Sequence, residues 1–291
     1  MTTTKFDAYQ NVTDQIIAQL EKGVRPWAKS WAGGASCNDL PLRSTGQEYQ
    51  GINVLLLWLQ GRSSPHWLTY KQAKSFGGQV RKGEKGTGIV FFKQLDIKDK
   101  VTGDPKRIPL LRSYTVFNAE QVDGLPARFY PAPVAPRNSD ERNVEVDEFI
   151  AATEAAIAHT DEGKAYYRPS TDQIVMPRLT TFDDVRAYYA TLLHELTHWT
   201  GHADRCDRPL KNGFRSPEYA KEELIAEIGA AFLCAHLGIS AEPREDHASY
   251  LQSWLDVLKA DKKAIVKAAS AAQRAAQFII DQQPILAEEA A

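Results

Sequence analysis

The sequence predicts an α+β protein: an α+β first half, then a mainly helical second half with a small β element. Three observations predict it. Residues 88–96 and 111–118 are rich in β-branched and aromatic residues, the composition of strands. Apolar residues recur at helical spacing through most of residues 147–282. Between the halves, Pro131, Pro133 and Pro136 lead into a polar run without periodicity, a linker signal. The expected division is a domain over residues 1–130, a linker over 131–143 and a domain over 144–291.

Element by element, residues 6–22 carry apolar side chains at positions 9, 12, 16, 17 and 20, a helical stripe that Gly23 stops. Residues 49–58 and 68–76 read as further helices. The polar stretch 98–106 reads as the loop of a hairpin joining the two strands. In the second half, residues 147–159, 182–200, 218–237 and 245–282 read as helices. Residues 165–176 read as two short strands around Pro-Ser-Thr-Asp.

Of the 291 residues, 43% are hydrophobic and 25% charged, which excludes a wholly disordered or low-complexity chain. No apolar run approaches the roughly 18 residues of a membrane span, so no membrane partner is expected. The first residues lack the apolar core of a secretory signal, and Cys37, Cys206 and Cys234 give no disulfide framework. A cytoplasmic protein is the expectation. The net charge of −2 conceals an asymmetry, since residues 1–130 carry +7 and residues 131–291 carry −9. A basic half of this kind points to a nucleic-acid partner.

The sharpest motif is His194-Glu195-Leu-Thr-His198. Two histidines four residues apart on a helix share a face, so both rings can meet one cation. Glu195 is then the candidate general base, placed to take a proton from water activated there. Two histidines and a carboxylate favour Zn2+, with Mn2+ or another divalent transition metal as alternatives. For the third ligand Glu223 is the first candidate. Glu227, one turn further on, is the second, and whichever does not bind can orient a histidine. Asp204 is the third, in a metzincin-like layout, but no Met-turn accompanies it.

The basic half also concentrates aromatic residues. Arg25, Trp27, Lys29 and Trp31 stand together, followed by Lys71 and Lys74, and then by Arg81, Lys82 and Lys85 among glycines. Cations that follow phosphates beside rings that stack on bases suit single-stranded DNA. The glycine run is not a phosphate loop, because Glu84 occupies the position that needs lysine.

These residues also carry a family resemblance. Tyr49-Gln-Gly51-Ile-Asn53, Trp67-Leu-Thr69-Tyr-Lys71-Gln72, Val80-Arg-Lys-Gly83-Glu-Lys85-Gly86 and Val116-Phe117-Asn118-Ala-Glu-Gln121 resemble the N-terminal domain of ArdC-family antirestriction proteins. TraC-type plasmid primases share that domain. His194-Glu-Leu-Thr-His198-Trp-Thr-Gly201-His202 and Tyr219-Ala-Lys-Glu-Glu223-Leu-Ile-Ala-Glu227 resemble the same family's zincin-like metallopeptidase domain. The resemblance implies a single-stranded-DNA-binding domain joined to a metallopeptidase-like one, protecting incoming conjugative plasmid DNA from host restriction. It places His194, His198 and Glu223 as ligands and Glu195 as acid/base. Two other functions remain open: a metalloprotease targeted to DNA that cleaves a host restriction-system protein, and a primase accessory factor.

Overall fold

The structure, a computed structural model, describes residues 7–27, 40–98, 103–131, 142–210, 213, 216–239 and 248–284. It opens with helix α1 (Ala8–Leu20), capped by the Asp7 carboxylate, which accepts from the amides of Tyr9 and Gln10. Strand β1 (Leu42–Arg43), helix α2 (Ile52–Trp58), strand β2 (His66–Leu68) and helix α3 (Tyr70–Ser75) follow. Strand β3 (Gln79–Val80), the hairpin strands β4 (Thr87–Lys98) and β5 (Pro105–Asn118), and β6 (Val122–Asp123) complete this half. Four strands form a sheet in the order β1-β2-β5-β4, parallel between β1 and β2 and otherwise antiparallel. Strand β3 pairs separately with β6.

The hairpin is held at its outer edge. The Asn53 side chain donates to the Val90 carbonyl at 2.7 Å and accepts from the Val90 amide at 2.9 Å. That bond satisfies edge-strand backbone that would otherwise be open to another strand.

The second half contains α4 (Val144–Ala151), β7 (Ala156–Thr160), β8 (Tyr166–Arg168), β9 (Gln173–Pro177), α5 (Val185–Trp199), α6 (Pro217–His236), α7 (Ala248–Ala260) and α8 (Ala264–Asp281). Its sheet has the order β7-β9-β8, with β7 parallel and β8 antiparallel to β9. Two expectations are corrected here. The helix expected over 147–159 ends at Ala151, and residues 156–160 form β7 instead. Glu154 adopts a left-handed backbone (φ 56°), and pairing with the distant β9 overrides the local helical spacing. The single helix expected over 245–282 is two, broken at Asp261, whose carboxylate accepts from the Lys263 amide at 2.8 Å. The two strands read around Pro-Ser-Thr-Asp are β8 and β9.

The larger hydrophobic core runs through both halves. Ile16 and Leu20 of α1 and Leu55 of α2 lie in one cluster with Trp254 of α7 and Ile265 and Ala269 of α8. Thr13 donates its hydroxyl to the Lys262 carbonyl (2.7 Å), and the Gly51 amide donates to the Gln273 side chain (3.0 Å). A smaller cluster of Leu68, Ala73, Val80, Val122 and Phe129 lies beneath α3. Among the described residues no helix is long and apolar enough to cross a membrane.

Candidate metal centre

Helices α5 and α6 bring the motif residues together. Helix α5 starts at Asp184, whose side chain caps the Arg186 amide, and nearly every residue from Tyr188 to Trp199 is buried. Helix α6 starts at Ser216 with Pro217 at its first position, an arrangement that suits a helix N-terminus. The two helices touch closely at Gly229. A Cβ there would stand 2.5 Å from Thr197 Cγ2, so only glycine fits at this approach.

On the facing surfaces, the Nε2 atoms of His194 and His198 lie 3.2 Å apart. Each is 3.6 Å from a carboxylate oxygen of Glu223. These residues form a group of nitrogen and oxygen donors able to hold a metal ion. The spacing fits one: donors bound at about 2.0–2.1 Å around a tetrahedral ion are about 3.3 Å apart. The remaining ring nitrogens are also engaged. His194 Nδ1 lies 3.2 Å from Glu227 Oε1, and His198 Nδ1 lies 3.1 Å from Glu222 Oε1. Such partners fix the tautomer and leave each Nε2 free to face the cluster.

Glu222 is itself held from outside. The buried Arg208 donates from Nε to Oε2 at 3.0 Å and from Nη2 to Oε1 at 2.8 Å. The same guanidinium donates to the Thr197 carbonyl (2.6 Å) and the Thr200 hydroxyl (2.8 Å). Burial pushes the Glu222 carboxyl up, but His198 and Arg208 outweigh it and hold the group below its usual range. Glu223 behaves likewise: burial opposes its charge, while His194, His198 and the Tyr219 hydroxyl bring it down to about 2. In the metal-free protein, burial disfavours charge on His194, but Glu223, Glu227 and Glu195 raise it to about 10. Tyr219 is pushed up by burial, by Tyr250 (hydroxyls 3.2 Å apart) and by Glu223, so it stays a neutral phenol.

A cavity of about 350 Å³ opens over the cluster, and Glu195, Tyr219, Tyr250 and Trp254 line it together with Ala165, just before β8, and Tyr166 and Tyr167 of β8. Strand β8 is an edge of its sheet, and its Tyr166 and Tyr167 line this cavity. Glu195 is buried against the cavity beside the histidine pair. Asp204, the third candidate ligand, is not brought to the cluster. Its side chain is 87% exposed and 3.4 Å from His202 Nδ1, because the turn after Gly201 carries it outward. Cys234 is buried and its thiol is pushed up to about 12 by burial, consistent with a packing role. Sequence reasoning missed Arg208 and Tyr219 and gave Glu222 no role of its own.

The candidate DNA-contacting residues divide. Trp27 is only 5% exposed and packs edge-to-face on Trp254 at 5.5 Å, so it is a core residue. A buried ring has no face for a base, which corrects its assignment as a stacking platform. Arg25 is half-buried. Lys29 and Trp31 lie outside the described residues. Arg81 is exposed but engaged, donating to Asp123 (3.2 Å), Glu84 (2.9 Å) and the Glu120 carbonyl (2.5 Å). Lys71, Lys74, Lys82 and Lys85 are exposed and form no ion pair among the described residues. Of the glycines beside them, Gly78 and Gly86 are closely packed, a Cβ on Gly78 meeting Leu125 Cδ2 at 2.6 Å, whereas a Cβ on Gly83 would meet nothing within 4 Å.

Comparison with known proteins adds to this geometry. Residues 6–117 match the N-terminal domain of the anti-restriction factor ArdC, and residues 144–271 match a zincin-like metallopeptidase family. A DNA primase TraC from Escherichia coli is 40% identical, the match covering 96% of this chain but only 28% of that protein. The chain therefore spans less than a third of that relative's length. The uncharacterized protein y4eC of Sinorhizobium fredii (strain NBRC 101917 / NGR234) is 40% identical over 96% of this chain and 94% of its own length. The metal-free crystal structure of the antirestriction ArdC protein from plasmid R388 aligns with a TM-score of 0.84 at 48% identity, covering 95% of this chain and 98% of that one. Its Mn(II)-bound structure aligns with a TM-score of 0.82 at 46% identity, covering 97% of this chain and all of that one.

Proposed function

The chain belongs to the ArdC family of antirestriction proteins, and from that membership we propose that it binds single-stranded DNA and protects incoming conjugative plasmid DNA from host restriction. The observation that supports the DNA reading is the set of exposed lysines (Lys71, Lys74, Lys82 and Lys85), which form no ion pair among the described residues, in a half carrying +7. On this reading residues 1–130 contact the strand, 131–143 link, and 144–291 hold a divalent cation, the two parts resting on one core. Arg81 sets the turn that presents Lys82 and Lys85. The relative named DNA primase TraC is consistent with this assignment, and a primase-accessory role is a narrower version of the same activity.

In the second half, His194, His198 and Glu223 would hold the cation, Zn2+ or Mn2+ by their donor chemistry. A cation there supplies Lewis acidity towards a carbonyl oxygen and towards water. Glu227 and Glu222 orient the two rings. Glu195 accepts a proton from the attacking water and passes it to the leaving amine. The edge strand β8 offers backbone to an extended peptide at the cavity. These features favour a second reading, a metallopeptidase that cleaves a host restriction-system protein.

Transfer of unmodified plasmid DNA into a restricting recipient separates the two. Binding as the protective activity predicts that Lys82→Glu/Lys85→Glu abolishes protection while Glu195→Ala retains it. Loss of protection in Glu195→Ala, with retention in the lysine variant, would reverse the assignment. For binding itself, affinity should fall with salt, by about 0.7 in log–log slope per phosphate contact on a single strand.

A further inference from the structure

The sequence reading placed no DNA contact on the β4–β5 hairpin, yet this hairpin carries an outward aromatic pair. Phe91 and Tyr114 are 47% and 42% exposed, large for rings in a folded protein. Register puts Arg112 directly opposite Phe91 and Ile89 opposite Tyr114, so Phe91, Arg112 and Tyr114 share one face of the strand pair. The two ring centroids are 6.3 Å apart at 79°, which leaves the rings presenting separate faces. Arg112 is exposed and makes no ion pair among the described residues.

Single exposed apolar residues are ordinary. Two neighbouring rings with an exposed guanidinium beside them on a sheet face are a more specific combination. The platform is also rigid. On the opposite face of β4 Val90 is buried, and Asn53 holds both its backbone groups at 2.7 and 2.9 Å. A fixed sheet surface with outward aromatics and a cation is how several folds stack unpaired bases, the rings taking the bases and the cation a phosphate.

We propose that Phe91 and Tyr114, with Arg112 on β5 opposite Phe91, form the base-stacking platform of this protein for single-stranded DNA. It rests on the reading that the chain binds single-stranded DNA, and it replaces the buried Trp27 as the source of stacking. The lysines then supply phosphate contacts, while this face distinguishes a strand with bases from one without. The net charge of +7 in residues 1–130 favours a nucleic acid over an apolar protein partner as the occupant.

The test uses the full chain with an oligothymidylate and an abasic sugar-phosphate oligomer of equal length. Wild type should bind the oligothymidylate more tightly. Phe91→Ala and Tyr114→Ala should each weaken that binding by about tenfold, with the salt slope unchanged and the preference for bases lost. Tyr114→Phe should restore it. Arg112→Ala should instead lower the salt slope by about 0.7. All three positions are exposed, and unchanged melting would show that the fold is intact. Alanine variants that bind like wild type would overturn the platform while leaving the DNA reading in place. A wild type that binds neither oligomer would overturn both. A dimeric wild type that Phe91→Ala makes monomeric, with DNA affinity unchanged, would reassign the face to contact between copies and also overturn the proposal.

Discussion

Arg208 grips Glu222 through two parallel hydrogen bonds, at 2.8 and 3.0 Å, inside the protein and one residue layer behind the histidine pair. Because Glu222 also receives His198 Nδ1 at 3.1 Å, the guanidinium sets the orientation of a candidate ligand without touching it.

Removing Arg208 would leave a buried carboxylate without its partner. Arg208→Met should destabilise the protein by about 3–5 kcal/mol, as breaking one side of a buried pair does. It should also lower divalent-metal affinity by roughly 10–100-fold through the loosened His198. Arg208→Met/Glu222→Met should recover much of the stability but not the affinity. Denaturant unfolding and metal titration measure the two effects, and a double variant with full affinity would remove Glu222 from the account.

Glu223 and Glu227 have different predicted roles although they are one helical turn apart. Glu223→Gln should abolish measurable metal binding, because it removes a charged ligand oxygen. Glu227→Gln should reduce affinity by roughly 10–100-fold, because it affects only His194 orientation. The reverse ranking would exchange their roles.

Metal uptake should release protons. In the metal-free protein His194 is raised to about 10, above its ordinary value of about 6.5. Its charged form therefore stabilises the metal-free fold fully below about pH 6.5, and that contribution is lost as pH rises through about 10. A ligand imidazole must be neutral, so affinity should rise with pH across the same window. Titration calorimetry in buffers of differing ionisation heat should show at least one proton released per ion at pH 7. No proton release would contradict the raised His194.

Gly229→Ala tests the close approach of α5 and α6. Helix propensity alone would favour alanine by about 1 kcal/mol. The Cβ would meet Thr197 Cγ2 at 2.5 Å, so overpacking of about 1–3 kcal/mol should win. Net destabilisation is expected, with weaker metal binding as the helices separate. Adding Thr197→Ala, which removes both Cγ2 and the Oγ1 that the new Cβ would meet at 2.9 Å, should recover much of both.

The candidate metal cluster was legible because helical periodicity makes it so: His194 and His198, like Glu223 and Glu227, are four residues apart and must share a face. What lies between faces was not legible. Glu222 is adjacent to Glu223 in sequence, but it serves the other histidine, which depends on how α5 crosses α6. Arg208 reaches Glu222 from an irregular turn after Gly201, with no period to reveal it. Strand β7 was hidden because Ala156, Ile157 and Ala158 continue the helical-looking pattern of the residues before them, although Glu154 has already turned the chain towards a partner some 17 residues away. Among the aromatics, burial is a tertiary property: the sequence singled out Trp27, which the core absorbs, and passed over Phe91 and Tyr114, which the sheet face leaves outside.

On the proposed reading, His194, His198 and Glu223 together hold one divalent cation. Metal per chain, determined by elemental analysis after loading with Zn(II) or Mn(II) and desalting, tests it most directly. One equivalent in wild type, and a loss of it in folded His198→Ala and Glu223→Ala, is the predicted result. A wild type that retains no metal, or both variants retaining a full equivalent, would contradict it.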